Sequence, residues 1–368
     1  MTTMKAAVLR DAPGDLIIEE VVLDAPVADE VQVKVVASGL CHSDLHVMEK
    51  MIPSPLPSVL GHEAAGIVTA VGENVSHLKV GDHVISCLSA YCGRCNACVA
   101  GKTYLCLNRG SLSAQRAAAG PTISDADGNP IVAFGGLGAF AEMMTVHNSA
   151  LVAIDPEMPL DRAALIGCGV ITGVGAAVNE ARVRPGETCV VIGCGGIGLN
   201  VVQGAAMAGA GRIIAVDLSA SKLELAQRFG ATDVVNPADG DPVEAVKALT
   251  GGLGVDHAFE AIGLKVTTEQ ALSMAGVGGA AYLIGVMPVG HNVEVHGLPF
   301  AMQGKRLHGV RMGSGNIAAD FPKLVDQYQR GRLLLDELIS ERIGLDQVNE
   351  GYARMKTGDH ARSVIMFD

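Results

Sequence analysis

The stretch "GETCVVIGCGGIGLNVVQGAAMAGAGRIIAVD", residues 186–217, constrains the fold more than any other. A short apolar run leads into a glycine turn, a segment of small residues follows, and a second apolar run ends in an acid. Gly193, Gly195 and Gly198 stand in G-x-G-x-x-G spacing. Placed between a buried strand and a helix, such a turn points backbone N–H groups and the helix N-terminus at a pyrophosphate. The turn Gly193, Gly195, Gly196, Ile197 and Gly198 is therefore a candidate dinucleotide cradle. Asp217 closes the second strand, nineteen residues past Gly198. A carboxylate there accepts hydrogen bonds from the adenosine ribose and repels a 2′-phosphate, which points to NAD.

Strand and helix patterns continue to alternate through "ADGDPVEAVKALTGGLGVDHAFEAIG" and "MAGVGGAAYLIGVMP". That alternation predicts a doubly wound α/β domain with a parallel sheet. The first third of the chain has a different texture. "DEVQVKVVASGLC" alternates polar and apolar residues, and "GHEAAGIVTAVGENVSHLKVGDHVIS" holds short β-branched runs cut by turns, so this part predicts a mostly-β domain. From about Arg109 to Gly138 the pattern becomes loop-like. After Gly313, "DFPKLVDQYQRGRLL" predicts an amphipathic helix. A length of 368 residues suits two such domains.

Net charge is −12 with no Lys/Arg-rich run, which argues against nucleic acid or an anionic membrane as partner. The N-terminus shows no secretory signal. The uncharged run from Cys189 to Gly211 holds seven glycines plus Asn200 and Gln203, so a membrane span is not expected there. A cytoplasmic location is the expectation, and clustered cysteines then suggest metal ligands rather than disulfides.

Cys92, Cys95, Cys98 and Cys106 follow C-x2-C-x2-C-x7-C. Four thiolates on one tight loop fill a zinc tetrahedron and leave no open position, so this site should be structural. A catalytic zinc keeps three protein ligands and one open place. Three separate segments offer candidates: Cys41 in "GLCHSDLH", His62 in "GHEAAG" and Cys168 in "LIGCGV". Asp44 is placed to orient the His62 imidazole. Cys87, Cys189 and Cys194 are expected to be small buried residues.

Taken in order, "GHEAAGIVTAVGENV", the four-cysteine lobe, "GCGVITGVGAAVN", "GCGGIG" and "GDHARSVIMF" resemble the zinc-containing medium-chain alcohol dehydrogenases over nearly the whole chain. The resemblance implies a GroES-like catalytic domain, residues 1–169 plus 312–368, around a Rossmann domain, residues 170–311. It implies a catalytic zinc on Cys41, His62 and Cys168, with Glu63 as a transient ligand, and a second, structural zinc. Ser43 and His46 match the family's proton exit. Arg362, Thr172, Val286 and Lys222 match cofactor positions. His42 stands where many relatives have arginine, which implies a weaker pyrophosphate contact. Leu88, Phe134 and Ile284 match the substrate pocket, with Arg311 at its mouth.

The implied reaction is reversible, NAD-dependent oxidation of apolar primary alcohols, by a homodimer or homotetramer. An alternative is a glutathione-type, thiol-dependent formaldehyde dehydrogenase. Such relatives carry an acid between the first two zinc ligands, whereas "KMIPSPLPSV" has none, though Arg109 falls near an anion-binding place. A third reading, from another class, is a non-catalytic zinc and nucleotide binder.

Overall fold

In the segment from Glu30 to Gly39, the expected alternation of polar and apolar residues gives a strand buried on both faces, with Lys34 its one exposed side chain. The reason lies in its neighbours. The strand pairs antiparallel with Glu63–Val71 on one side and Met143–His147 on the other. Its polar residues are satisfied inside. Gln32 reaches Thr145 Oγ1 at 3.5 Å, and Glu30 receives the Arg116 guanidinium.

This computed structural model describes residues 1–358 and 361–368. Asp359 and His360, part of the "GDHARSVIMF" marker, lie outside the described residues. The chain divides into two compact units, Met1–Cys168 with Asn316–Asp368, and Gly169–Gly315.

In the first unit, the strands Thr2–Leu9, Leu16–Leu23, Ile123–Ser124, Pro130–Ala133 and Ser58–Val59 close into a barrel. A second sheet runs Leu151–Ala153, His83–Ser86, Glu63–Val71, Glu30–Gly39, Arg362–Met366, Ile339–Ile343. The region expected to be loop-like is partly ordered. It forms a short helix, Ala114–Ala119, and a hairpin pairing Ile123–Ser124 with Pro130–Ala133. The turn is held by Asp125, whose carboxylate accepts the N–H groups of Asp127 at 3.0 Å and Asn129 at 2.8 Å. The helix is tied down by buried Arg116, which grips Glu30 and donates to the Ala25 carbonyl at 2.7 Å.

The second unit holds a wholly parallel sheet in the order Asp233–Val235, Arg212–Val216, Thr188–Ile192, Val255–Glu260, Ala275–Leu283, Arg306–Gly309. Helices Gly196–Met207, Ala220–Arg228, Pro242–Leu249 and Lys265–Met274 alternate with its strands. Val190, Ile192, Ile214, Val216, Val246 and Met274 join one apolar core. This is the expected α/β architecture, a GroES-like unit plus a Rossmann-like one. The run from Cys189 to Gly211 is strand, turn and core helix. A helical segment the sequence reading did not single out, Leu160–Ala181, is long and apolar enough for a membrane. It is instead 83% buried within the protein over its most apolar window.

Candidate active site and metal centres

Strand Glu30–Gly39 delivers Cys41 to the N-cap of the short helix His42–Met48. Strand Glu63–Val71 begins one residue after His62. Cys168 follows the helix Leu160–Leu165. These three segments, all in the first unit, bring one donor atom each from Cys41, His62, Glu63 and Cys168 within 4.8 Å of one another. All four side chains are buried.

The histidine is oriented from behind. Asp44 Oδ1 lies 3.1 Å from His62 Nδ1 and also accepts the Gly61 N–H at 3.0 Å. Nε2 of His62 is buried and has no hydrogen-bond partner. A buried ring nitrogen left open, with its other nitrogen held by a carboxylate, is the geometry of a metal ligand. The electrostatics agree. The Cys168 S–H donates to Cys41, which holds the Cys41 thiol well below the ordinary thiol range, while Cys168 is pushed well above it. Burial opposes protonation of His62, but Asp44 and Cys41 outweigh it and raise its pKa. This donor set surrenders its last protons to a soft dication, so it fits zinc.

Glu63 has both carboxylate oxygens without a hydrogen bond. Burial pushes its carboxyl up to about 7, and Arg362, with Nη1 at 3.4 Å, pulls the other way. Arg362 itself is buried and donates to the Leu40 carbonyl at 3.0 Å. Its observed partners are therefore within the metal site. Tyr352, from the helix Val348–Thr357, is 2% exposed and its hydroxyl has no partner. Its ring meets Phe140 edge-on at 6.3 Å, and Phe140 in turn packs against Gly61. Nothing in the sequence signalled Tyr352, because more than 280 residues separate it from His62.

Ser43 and His46 lie on the helix that starts beside Cys41, three positions apart and so on one face, both half-buried. Ser43 Oγ is 3.7 Å from Cys41 Sγ. His42 is exposed, its ring 6.5 Å from that of His46. The Phe134 ring meets His62 edge-on at 5.8 Å, an apolar wall against a ligand. Leu88 neighbours it through Gly135, and its carbonyl accepts Arg109 Nη1 at 3.3 Å.

The other cluster needs no long-range assembly. Donor atoms of Cys92, Cys95, Cys98 and Cys106 also lie within 4.8 Å of one another. The backbone N–H groups of Cys98 and Leu107 pull the Cys95 thiol down to about 6, and the Cys92 N–H reaches Cys106 Sγ at 3.3 Å. Amides turned toward sulfur suit four thiolates around one dication. Cys87, Cys189 and Cys194 are buried, each with its thiol pushed up by burial.

In the second unit, Gly193 takes a φ of 92°, where a side chain is strained. A Cβ on Gly198 would lie 1.7 Å from the Gly193 carbonyl oxygen, so only glycine lets the helix start this close. Gly195 is the N-cap of helix Gly196–Met207 and no side chain caps it, which leaves first-turn N–H groups for a phosphate. Asp217 Oδ2 accepts the Cys194 N–H at 2.8 Å and Oδ1 the Ser219 N–H at 2.9 Å, so it fixes the turn from the next strand. Lys222 sits in the first turn of helix Ala220–Arg228. Thr172 is buried with its hydroxyl on Met312 Sδ at 3.9 Å, Ile284 is buried, and Val286 and Arg311 are exposed.

Residues 27–156 match the alcohol dehydrogenase GroES-like domain family, and residues 196–330 the zinc-binding dehydrogenase family. The chain is 39% identical to an alcohol dehydrogenase class-3 of Drosophila melanogaster, covering 99% of this chain and 98% of that one. It is 38% identical to an S-(hydroxymethyl)glutathione dehydrogenase of Saccharomyces cerevisiae, with 99% and 96% covered. The benzyl alcohol dehydrogenase of Acinetobacter calcoaceticus superposes with a TM-score of 0.92 at 33% identity, over the full length of both chains.

Proposed function

The chain belongs to the zinc-containing medium-chain alcohol dehydrogenases, and from that premise we propose that it oxidises apolar primary alcohols, aromatic or medium-chain, to aldehydes with NAD, reversibly. The observation that carries this reading is the buried donor set of Cys41, His62 and Cys168 with the Phe134 ring against it. When bound, zinc and NAD supply a Lewis acid at the alcohol oxygen and a hydride acceptor at its carbon.

The chain's own part is placement and proton handling. Cys41, His62 and Cys168 would hold the metal, and Asp44 keeps the His62 tautomer. Ser43 accepts the hydroxyl proton and His46, one turn on, passes it outward. Phe134 and Leu88 keep water from the reacting carbon. The N-terminus of helix Gly196–Met207 and Asp217 would hold the dinucleotide. Thr172, Lys222 and Val286 are assigned supporting contacts to it, and Arg362 stands beside Glu63 at the metal site. The intact proton exit speaks against a non-catalytic binder, which needs none.

A second reading, oxidation of a glutathione-type hydroxymethyl thiol adduct, is favoured by the 38% identity to the S-(hydroxymethyl)glutathione dehydrogenase. Against it stands the acid-free stretch from Lys50 to His62. The deciding measurement is kcat/KM for benzyl alcohol, hexanol and S-hydroxymethylglutathione, followed through NADH formation. The apolar alcohols should win. A glutathione adduct ahead by tenfold or more overturns the first reading in favour of the second. Turnover of none of them, with zinc bound, favours the binder.

A further inference from the structure

The second unit carries a cavity of ≈ 520 Å³ remote from its glycine turn. It is built by the turn after helix Pro242–Leu249, by helix Lys265–Met274, by the start of strand Ala275–Leu283 and by residues 294–305. The sheet is parallel, so this cavity lies at the amino end of its strands. The Gly193–Gly198 turn follows the carboxyl end, where nucleotides bind.

Two lysines, Lys247 and Lys305, line it. Lys305 donates to the Leu272 carbonyl at 2.8 Å, and among the described residues no carboxylate lies within ion-pair distance of it. The acids of the cavity, Glu269 and Glu294, are both taken by Lys265. Lys247 has only Glu244, at 3.3 Å on an exposed flank. Burial, and after it the charge of Lys247, lower the Lys305 pKa, so the two cations on this wall repel each other. The rest of the wall is mixed: Ser273, His296 and Gln303 are polar, while Leu272, Val295 and Phe300 offer apolar surface.

We propose that this cavity binds an amphipathic monocarboxylate, its carboxylate between Lys247 and Lys305 and its alkyl or aryl tail along Leu272 and Phe300. The volume falls within the range of small-molecule sites, roughly 300–1,000 Å³. A carboxylate between two ammonium groups removes their repulsion and makes charge-assisted hydrogen bonds. Each tail methylene buried should tighten binding about fourfold. A compact inorganic anion would gain from the lysines alone, and a neutral alcohol from the wall alone. Binding in this cavity does not depend on the alcohol chemistry proposed above.

The test is trace acetylation of the holoprotein with acetic anhydride, with modification of Lys305 and Lys247 read by mass spectrometry. Octanoate should slow Lys305 acetylation at least fivefold, while inorganic phosphate or octanol at the same concentration should not. By calorimetry, Lys247→Met with Lys305→Met should weaken octanoate binding at least tenfold. Absence of protection by octanoate overturns the proposal, as does equal protection by phosphate or by octanol. Unchanged affinity in the double variant also overturns it. Protection in the unmodified protein does not depend on the variant folding.

Discussion

Asp44 Oδ1 lies 3.1 Å from His62 Nδ1, and neither side chain is exposed to solvent. A buried carboxylate behind a ligand imidazole fixes which nitrogen is free. Loss of such a partner typically lowers metal affinity about 10–100-fold. Asp44→Ala should do so at the His62 site, measured by competition with a chelator, and Asp44→Asn should cost less because its amide oxygen can still accept. Equal affinity in Asp44→Ala and the parent would show that the contact does not orient a ligand.

The two donor sets should separate on mutation. Cys95→Ser breaks a cluster made within one short run, so stability should suffer. A fall in melting temperature of about 5 °C or more is expected, given about 2–4 °C per kcal/mol for a unit of this size. Cys168→Ser should leave melting near the parent value and abolish alcohol oxidation. Elemental analysis should give two zinc ions in the parent and one in either variant. One zinc or none in fully active protein would refute the assignment.

What could be read in advance follows from how far apart the cooperating residues lie. The strand, turn and helix around Gly193–Gly198 are encoded by adjacent residues, and the four cysteines from Cys92 to Cys106 sit on one loop. Cys41, His62 and Cys168 are different. Cys41 and Cys168 alone read as core residues and His62 alone as a core or turn histidine, and only the order of the family's markers groups them. Arg116 and Tyr352 were not legible at all. Arg116 orders the insertion through Glu30, 86 residues away, and an Ala-rich sequence gives no hint of that partner. Tyr352 reaches the metal site from a helix whose local pattern shows only amphipathicity.

Acid should reveal a second buried network. Asp161 is held by Arg162 Nη1 at 2.8 Å and Arg342 Nη2 at 2.7 Å. Burial pushes its carboxyl up, but the hydrogen bonds from the two arginines outweigh burial and leave it below the usual carboxylate range. A folded pKa below the unfolded one stabilises above roughly pH 4, and that gain is lost as pH falls through the lower folded value. Asp161→Asn should cost about 1–3 kcal/mol at neutral pH and flatten the stability curve below about pH 4. Denaturant titrations at several pH values check both. An unchanged acid limb in Asp161→Asn would mean the network contributes nothing there.

His46 is tested by replacement rather than removal of function. General acid–base groups contribute about 10²–10⁴-fold, less where water substitutes. His46→Ala should slow alcohol oxidation, and added imidazole should restore part of the rate. A surface histidine with no part in proton transfer would leave both the rate and its pH profile as in the parent.

Cofactor choice should turn on Asp217. Its carboxylate accepts two backbone N–H groups, from Cys194 and Ser219, and so is held rigidly at the end of strand Arg212–Val216. A rigid anion facing a 2′-phosphate should cost several kcal/mol, a preference for NAD over NADP of about a hundredfold or more. Lys222, in the first turn of the following helix, adds a positive charge nearby but cannot rotate the carboxylate away. Asp217→Gly should therefore narrow the ratio of kcat/KM values by at least about tenfold, mainly through the KM for NADP. Activity with NAD should fall as well, since the Cys194 N–H loses its acceptor and the glycine turn loosens. Equal efficiency with NAD and NADP in the parent would overturn the assignment of Asp217.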